Sequence, residues 1–186
     1  MQDEIRRALR ESAKAGESLR APDIEAATKI IASAYKAGGK VLLAGNGGSA
    51  ADSQHIAAEF VGRYLLERPP LPAVALTTDT SILTALANDY GAEHIFARQV
   101  EALGREGDVL VAFSTSGTSA NIMRAVEAAR KRGMTVIGFT GAKGAKLKGM
   151  CDACITVDST ETPRIQEAHI TAAHIICGLV EDALFR

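Results

Sequence analysis

Five short apolar segments recur along the chain, separated by longer stretches with helical spacing. The segments are KVLLAG, PAVALTT, DVLVAFS, TVIGFTG and ACITVD. Each ends at Gly, Ser, Thr or Asp, and none alternates strictly between apolar and polar residues. This pattern is typical of strands that are buried on both faces. The sequence therefore predicts a sheet of about five strands that is covered by helices on both sides.

The stretches between these segments have the periodicity of amphipathic helices. The range 119–131 places Ile122, Val126 and Ala129 on one face. Gly133 then follows at the position where a helix commonly ends. Because parallel neighbouring strands need crossover connections, strands that alternate with helices predict a parallel sheet. The predicted fold class is α/β, a three-layer α/β/α sandwich.

Helical spacing also covers the longest connection and the N-terminal region. The range 79–107 is predicted to be helical in two pieces, separated by ANDYGAE, and ERPPLP is predicted to be a rigid turn. Two helices precede the first strand, the second of them over 23–37. From the length of the chain we predict a single domain over residues 1–186. Residues 1–38 are predicted to contribute to contacts between subunits.

The last predicted helix, IQEAHITAAHIICGLVEDALF, is apolar on nearly all sides. A helix on the surface of a small monomer normally has a polar face. We therefore predict that the protein forms homo-oligomers through its helices. The alternative is that this helix only crosses the back of the sheet.

Composition and charge narrow the class of protein. Hydrophobic residues make up 47% of the 186 residues and charged residues 23%, as expected of a globular protein. The net charge is -1 and the basic residues are dispersed, so we expect no nucleic acid partner. The opening MQDEIRRALRESAKAG lacks the apolar core of a secretion signal, and we expect no run to reach the ~18 apolar residues that span a bilayer. The sequence thus predicts a cytoplasmic protein without a membrane partner.

The three cysteines do not predict a metal or disulfide framework. Cys151 and Cys154 have C-x-x-C spacing, but there is no second pair, and Cys177 leaves an odd number. The favoured interpretation is that these cysteines are small residues packed in the core.

The first candidate for chemistry is the turn GNGGSA, Gly45–Ala50, between a predicted strand and a predicted helix. It resembles the glycine fingerprint of dinucleotide-binding folds, which also requires an acidic residue about 20 positions later. Asp79, at the end of the next strand, lies much further along the chain. A bound NAD is therefore not expected.

A second turn, FSTSGTSAN, again connects a strand to a helix and is rich in hydroxyl groups. Its hydroxyl residues are Ser114, Thr115, Ser116, Thr118 and Ser119. The free N–H groups and the dipole of a helix N-terminus favour an anion. Simple capping of the helix is the alternative. So many hydroxyl groups at the carboxyl end of a strand favour a phosphate site.

The helix after the first turn carries His55 and Glu59 on one face, with Arg63 one turn later. Such a pair can transfer protons or bind a metal. The alternative is a solvated Glu59–Arg63 ion pair beside a capped histidine.

The last helix offers a possible counterpart to that pair. Gln166 and His174 lie in one column, and His169 lies on a neighbouring stripe. A histidine in an apolar helix is often a core residue with one hydrogen bond. The spacing leaves the choice between His169 and His174 open, but two polar columns favour a common pocket.

Four long segments occur in the order found in one known family: GNGGSAADSQHIAAEF, LTTDTSILTALANDYG, STSGTSANI and TPRIQEAHITAAHIICGLVE. Over essentially its whole length the chain resembles the sugar isomerase (SIS) domain proteins. The resemblance implies a flavodoxin-like fold, a homotetramer with active sites at subunit boundaries, and one zinc ion per subunit. It further implies conversion of sedoheptulose 7-phosphate to D-glycero-D-manno-heptose 7-phosphate, the first step toward ADP-heptose for the lipopolysaccharide core.

The resemblance also assigns roles to residues. The implied zinc ligands are His55, Glu59, Gln166 and His174, which selects His174 over His169. The implied substrate-binding residues are Asn46, Gly47, Gly48, Ser49, Arg63, Asn88, Asp89, Ser114, Thr115, Ser116, Ser119 and Gln166. In an enediol mechanism Glu59 takes the C1 proton and His174 moves a proton between O1 and O2. Glutamine lies outside the usual set of zinc ligands.

The implied double role of Glu59 leaves two mechanisms open, because a carboxylate bound to zinc is a weaker base. Either its coordination loosens during turnover, or the metal polarises the sugar oxygens while another group moves the protons.

Two other functions are compatible with the resemblance. One is a non-enzymatic SIS protein that binds the replication initiator DnaA. Such relatives lack the glutamate and the last-helix histidine that this chain has as Glu59 and His174. The other is an isomerase for a different sugar phosphate, such as arabinose 5-phosphate or a hexose phosphate.

Overall fold

A computed structural model describes all residues, 1–186. Its centre is a sheet of five parallel strands in the order β2-β1-β3-β4-β5. The strands are β1 Val41–Ala44, β2 Ala73–Ala75, β3 Val109–Phe113, β4 Thr135–Gly141 and β5 Ala153–Val157. Each lies within one of the five apolar segments, so the predicted strands and their parallel arrangement are confirmed.

Eight α-helices and one 3₁₀ turn, Ala92–His94, precede, connect and follow the strands. The helices are α1 Gln2–Glu17, α2 Ala21–Lys36, α3 Gly48–Val61, α4 Thr80–Tyr90, α5 Ala97–Leu103, α6 Ala120–Lys131, α7 Ala145–Lys148 and α8 Thr162–Phe185. The connection 79–107 is helical in two pieces, as predicted. Asp79 caps α4 by accepting a hydrogen bond from the Ile82 N–H at 2.9 Å. Gly133 follows α6 with a φ of 71°, at the predicted helix end.

Alternate residues of the strands face two separate cores, which gives the predicted three layers. Leu43 of β1 and Val111 of β3 face a core that is completed by α2, α3 and α8. Their neighbours Leu42 and Leu110 face a second core that is completed by α5, α6 and α7. Both β1 and β3 are buried along their whole length. Strands that are buried on both faces carry apolar side chains on both faces, which explains the unbroken apolar segments in the sequence.

Helix α8 packs along α1, α2 and α3 and against β4 and β5. By length and mean hydropathy (1.3) Thr162–Phe185 could also cross a membrane, so the expectation that no segment reaches that length was wrong. In this protein 44% of its apolar window is buried against other elements. The core helix of a globular domain has the same properties, so this is weak support for a membrane span.

The N-terminal helices cover one side of the molecule. Ala15 of α1 packs against Val157, Ile165 and Ala168. In contrast, Ile5 and Leu9 of α1 are exposed. The contribution of residues 1–38 to subunit contacts stays a prediction.

All three cysteines are unpaired, with Cys154 and Cys177 buried and Cys151 half-buried. The Cys151 thiol donates a hydrogen bond to the Leu147 carbonyl at 3.1 Å. These surroundings agree with the predicted role of the cysteines as packing residues.

Candidate functional site

The first glycine-rich turn brings the start of α3 close to the end of β1. A Cβ atom on Gly45 would lie 2.3 Å from the backbone oxygen of Ser49, so no larger residue fits at this position. Gly47 has a φ of 55°, a conformation that glycine adopts at little cost. The turn therefore needs its glycines to place the N–H groups at the N-terminus of α3 at this edge of the sheet.

The second turn places the start of α6 beside the end of β3. The hydroxyl groups of Ser114 and Ser119 are 3.0 Å apart, and Ser114 Oγ also accepts the Gly117 N–H at 3.1 Å. The Thr118 hydroxyl instead hydrogen bonds to Ser116 Oγ at 3.1 Å, on the exposed side of the turn. The five hydroxyl groups are thus divided between two sides of the turn.

The two turns and the start of α8 enclose a cavity of about 330 Å³. Its lining consists of Asn46, Gly47, Gly48, Ser49, Phe113, Ser114, Thr115, Ser119, Thr162 and Gln166. Cavities that bind small molecules commonly have volumes of ~300 to 1,000 Å³. The cavity is large enough for a sugar phosphate, and its polar lining presents hydroxyl, amide and backbone groups next to two helix N-termini.

Amide side chains join the separate elements of this cavity. Asn46 and Asn121 donate to each other through two hydrogen bonds of 2.9 Å, which link the first turn to α6. The Gln166 amide packs on Gly48, where an added Cβ would lie 2.6 Å from Gln166 Nε2. Sequence reasoning did not assign a role to Asn121 or to Thr162, although both lie within segments that carry the family resemblance.

Side chains from α3 and α8 meet in a group of three, here called the His–Glu–His cluster (His55, Glu59 and His174). The Nε2 atoms of His55 and His174 are 2.8 Å apart, and His55 Nε2 is 3.4 Å from Glu59 Oε1. One potential ligand atom from each residue lies within 4.8 Å of the others. The His55 side chain is 49% exposed and that of Glu59 19% exposed, so a small molecule can reach the cluster.

Two further residues surround the cluster and were missed by sequence reasoning. The ring of Tyr64 is stacked on His174, with 5.5 Å between centroids and 19° between planes. Asp52, one turn before His55, has a buried carboxyl oxygen without a hydrogen-bond partner. Burial raises the pKa of Asp52, and the opposing effect of the nearby His55 is smaller. Asp52 could have been found from the sequence, because its spacing puts it on the His55 face of α3. No feature of the sequence pointed to Tyr64.

The choice between the two histidines of α8 is decided by their surroundings. His169 is fully buried, and its Nε2–H donates to the Thr140 carbonyl oxygen at 3.2 Å. Its ring meets that of Phe139 in a T-shaped arrangement and lies tilted by 55° to that of Phe113. Burial lowers the pKa of His169 to about 4, against the opposing effect of that hydrogen bond. His169 is therefore a neutral core histidine, and the structure places His174 beside His55.

Four of the assigned substrate-binding residues lie outside the lining of the cavity, as do the three residues of the His–Glu–His cluster. Arg63 is exposed and its Nε is 3.6 Å from Glu67, so the alternative Glu59–Arg63 pair does not form. Asn88 donates to Asp89 at 2.8 Å, and both are exposed at the end of α4. Ser116 faces the exposed side of the second turn. This chain by itself does not bring Arg63, Asn88, Asp89 or Ser116 to the cavity, and their roles stay predictions.

The His–Glu–His cluster suits a divalent metal by its donor chemistry. Two imidazole nitrogens 2.8 Å apart repel each other unless a proton or another cation lies between them. Two histidines and one glutamate form a ligand set that is common in catalytic zinc sites. Gln166 is on the same column of α8 about two turns before His174, and its amide lines the cavity.

Comparison with known proteins agrees with this arrangement. Residues 4–141 match the model of the SIS domain family. A phosphoheptose isomerase from Rhodospirillum rubrum is 62% identical over 164 residues, which cover 88% of this chain and 87% of that protein. The chain belongs to the phosphoheptose isomerases of the SIS domain family. The structure of a phosphoheptose isomerase from Neisseria gonorrhoeae superimposes with a TM-score of 0.91 at 45% identity, covering 97% of this chain and 98% of that one.

Similarity to the phosphoheptose isomerases extends beyond the region that matches the SIS model. That match ends at residue 141, before α8. A phosphoheptose isomerase from Thermodesulfovibrio yellowstonii is 52% identical over 188 residues, covering 100% of this chain and 94% of that protein. The helix that carries Gln166 and His174 is therefore also part of the similarity to phosphoheptose isomerases.

Proposed function

We propose that this protein interconverts sedoheptulose 7-phosphate and D-glycero-D-manno-heptose 7-phosphate. The observation that supports this most is the His–Glu–His cluster on α3 and α8, whose first turns line the hydroxyl-rich cavity, in a chain that belongs to the phosphoheptose isomerases. We further propose that the product leads to ADP-heptose for the lipopolysaccharide core. Retention of Glu59 and His174 favours the enzyme over a non-enzymatic SIS protein that binds DnaA.

In the proposed mechanism the reaction passes through an enediol. Glu59 removes the C1 proton of the ketose, and its partial burial limits competition from water. His174 moves a proton between O1 and O2, and its Nε2 lies 2.8 Å from His55 Nε2. Acid and base groups placed in this way each contribute about 10²- to 10⁴-fold to a rate.

The phosphate takes no part in the proton transfers and serves to orient the sugar. We assign it to the hydroxyl groups of Ser49, Ser114, Thr115 and Ser119 and to the free N–H groups at the start of α3 and α6. The amides of Asn46 and Gln166 lie at the same cavity and are suited to sugar hydroxyl groups.

We propose that the metal is zinc, held by His55, Glu59, Gln166 and His174. When bound, it polarises the sugar oxygens at C1 and C2. Glu59 would act as the base if its coordination to the metal loosens during turnover; in the other mechanism left open by the sequence, another group moves the protons.

We also propose a cytoplasmic homotetramer. The support is the set of large apolar side chains left exposed on the helices of one chain, which include Ile5 and Leu9 of α1 and Ile175 and Leu179 of α8. Exposed apolar surface of this kind commonly marks an interface between proteins. Assembly is also a means by which Arg63, Asn88 and Asp89 can reach a cavity of a neighbouring subunit.

The test is turnover by the purified protein with zinc present. Glu59→Gln and His174→Gln should each lower kcat at least about 100-fold, with an unchanged circular dichroism spectrum. The matched controls are Glu67→Gln and His94→Gln, which change an exposed and a half-buried residue outside the cavity lining and should keep activity. Activity retained in either site variant contradicts the roles that we assign.

The substrate is tested separately with ketose phosphates of five, six and seven carbons. We expect the heptose phosphate to have the highest kcat/KM. A higher value for a shorter sugar would support the other isomerase function, and no turnover of any of them would favour the DnaA-binding module.

A further inference from the structure

A buried ion pair joins the segment after α3 to α8, behind the His–Glu–His cluster. Arg68 Nε and Glu181 Oε1 are 3.0 Å apart, and their side chains are 1% and 2% exposed. The Glu181 carboxylate also accepts the backbone N–H groups of Tyr64, Leu65 and Leu66, at 2.8, 2.9 and 2.9 Å. A single side chain of α8 therefore fixes three consecutive residues of the segment after α3.

Arg68 fixes the end of α3 itself. Its Nη2 donates to the Glu59 carbonyl at 2.8 Å, and its Nη1 donates to the Phe60 carbonyl at 2.7 Å. Carbonyls in the last turn of a helix have no partner within the helix. The guanidinium thus satisfies the last turn of α3, which carries Glu59.

The ring of Tyr64 lies on the face of α8 that holds His174. It is stacked on the His174 imidazole, with 5.5 Å between the centroids. One turn further along α8, a Cβ on Gly178 would lie 3.4 Å from the Tyr64 ring, an ordinary van der Waals contact. His174, Gly178 and Glu181 lie on one stripe of the helix. Tyr64 is therefore held through its N–H by Glu181, while its ring covers the imidazole of His174.

The contacts of the His174 ring explain what this stacking does. His55 meets it edge-to-face, with 5.0 Å between centroids and 76° between planes. Tyr64 covers a face of the ring. With one neighbour at its edge and another on its face, the ring has little freedom to leave the orientation that points Nε2 at His55.

We infer that Tyr64 is a positioning residue for His174 in the proton transfers, and that the Arg68–Glu181 pair holds Tyr64 in place. The inference rests on the proposed isomerase function, since it concerns how often His174 is correctly oriented in turnover. A purely structural role for Tyr64 would lower stability and leave kcat unchanged.

The kinetic test compares Tyr64→Leu with Tyr64→Phe. Leucine removes the flat ring, and we expect kcat to fall about 10- to 100-fold, because small misplacements of a reacting group have effects of this size. KM should stay within about twofold, since Tyr64 is outside the lining of the cavity. Phenylalanine keeps the ring and should retain kcat to within about threefold.

The matched control is Tyr35→Leu. The Tyr35 ring packs edge-to-face on Phe60 of α3, with 5.6 Å between centroids, and not on His174. This variant also removes an aromatic ring next to α3, and we expect lower stability with unchanged kcat. An equal loss of kcat in Tyr35→Leu and Tyr64→Leu, or no loss in Tyr64→Leu, overturns the positioning role.

A crystal structure of Tyr64→Leu separates this inference from the proposed function. We expect the His174 ring to adopt another rotamer or to be disordered, while His55 and Glu59 keep their places. An unchanged His174 ring overturns the inference even if the parent protein has no isomerase activity. Absence of turnover by the parent contradicts the proposed function alone.

Discussion

Replacement of Glu181 by glutamine removes one charge of the buried Arg68–Glu181 pair and leaves the other. Each carboxylate oxygen accepts two N–H donors: Oε1 accepts from Tyr64 and Arg68, and Oε2 from Leu65 and Leu66. Glutamine keeps one oxygen and turns an NH₂ group toward the other two donors. We therefore expect the free energy of unfolding to fall by about 3 to 5 kcal/mol, as is typical when one partner of a buried pair is removed.

Urea unfolding followed by circular dichroism measures this loss. A matched control is Glu127→Gln, which breaks an exposed pair with Arg124 in which the side chains are 44% and 55% exposed. Exposed pairs contribute about 1 kcal/mol or less. The argument from burial is refuted if Glu181→Gln costs no more than this control, or if the two variants change the midpoint equally at an unchanged m value.

The same substitution has a defined pH dependence. Burial alone raises the pKa of Glu181, but the N–H donors of residues 64–66 and Arg68 outweigh it and hold the pKa below its ordinary value of 4.5. A carboxyl group with a lower pKa in the folded state stabilises the protein above its unfolded pKa and loses that contribution as the pH falls through the folded pKa. The difference between parent and Glu181→Gln should therefore shrink on acidification below about pH 4.5. A constant difference across this range contradicts the assignment.

Three further predictions concern the cavity, the core histidine and the metal. Gly48→Ala puts a Cβ at 2.6 Å from Gln166 Nε2 and should displace that amide. We expect KM to rise about tenfold in steady-state kinetics, while thermal unfolding should show little loss of stability. His169→Leu removes the donor to the Thr140 carbonyl and should lower the free energy of unfolding by about 1 to 3 kcal/mol without lowering kcat. A loss of kcat comparable to that of His174→Gln would contradict the assignment of His169 to the core. Removal of metal with a chelator should abolish turnover, and zinc should restore it; full activity of protein shown by elemental analysis to be free of metal would refute the zinc proposal.

The fold was predictable where the sequence pattern is local. Val41–Ala44 and Val109–Phe113 are buried on both faces, so their apolar composition is continuous and their burial is visible in the sequence. The order β2-β1-β3-β4-β5 depends on contacts between distant residues, and no local pattern contains it. The length of the apolar segment in helix α8 was underestimated, because threonines, histidines and a glycine interrupt it although its mean hydropathy stays high.

Within the site, sequence spacing gave the residues of each element but could not give their neighbours. His55 and Glu59 share a helix, so their common face follows from their spacing alone. His169 and His174 lie on two stripes of a helix that is apolar on both, so their spacing does not separate them. The structure does, because His169 is buried against Phe139 and His174 lies beside His55.

The contacts between the segment from Tyr64 to Arg68 and Glu181 were not predicted from the sequence. Only its end overlaps ERPPLP, residues 67–72, which is predicted to be a rigid turn, and its contacts with Glu181 join residues more than a hundred positions apart. Yet Glu181 is an acidic residue in the apolar helix α8, and a buried carboxylate needs a cation and hydrogen-bond donors. An arginine held between prolines and a helix end is a suitable partner, because its guanidinium can satisfy both a carboxylate and free carbonyls. A buried charge in an apolar helix therefore requires a partner. Only the structure shows that Glu181 is the buried charge, that Arg68 is its partner and that Glu181 holds Tyr64.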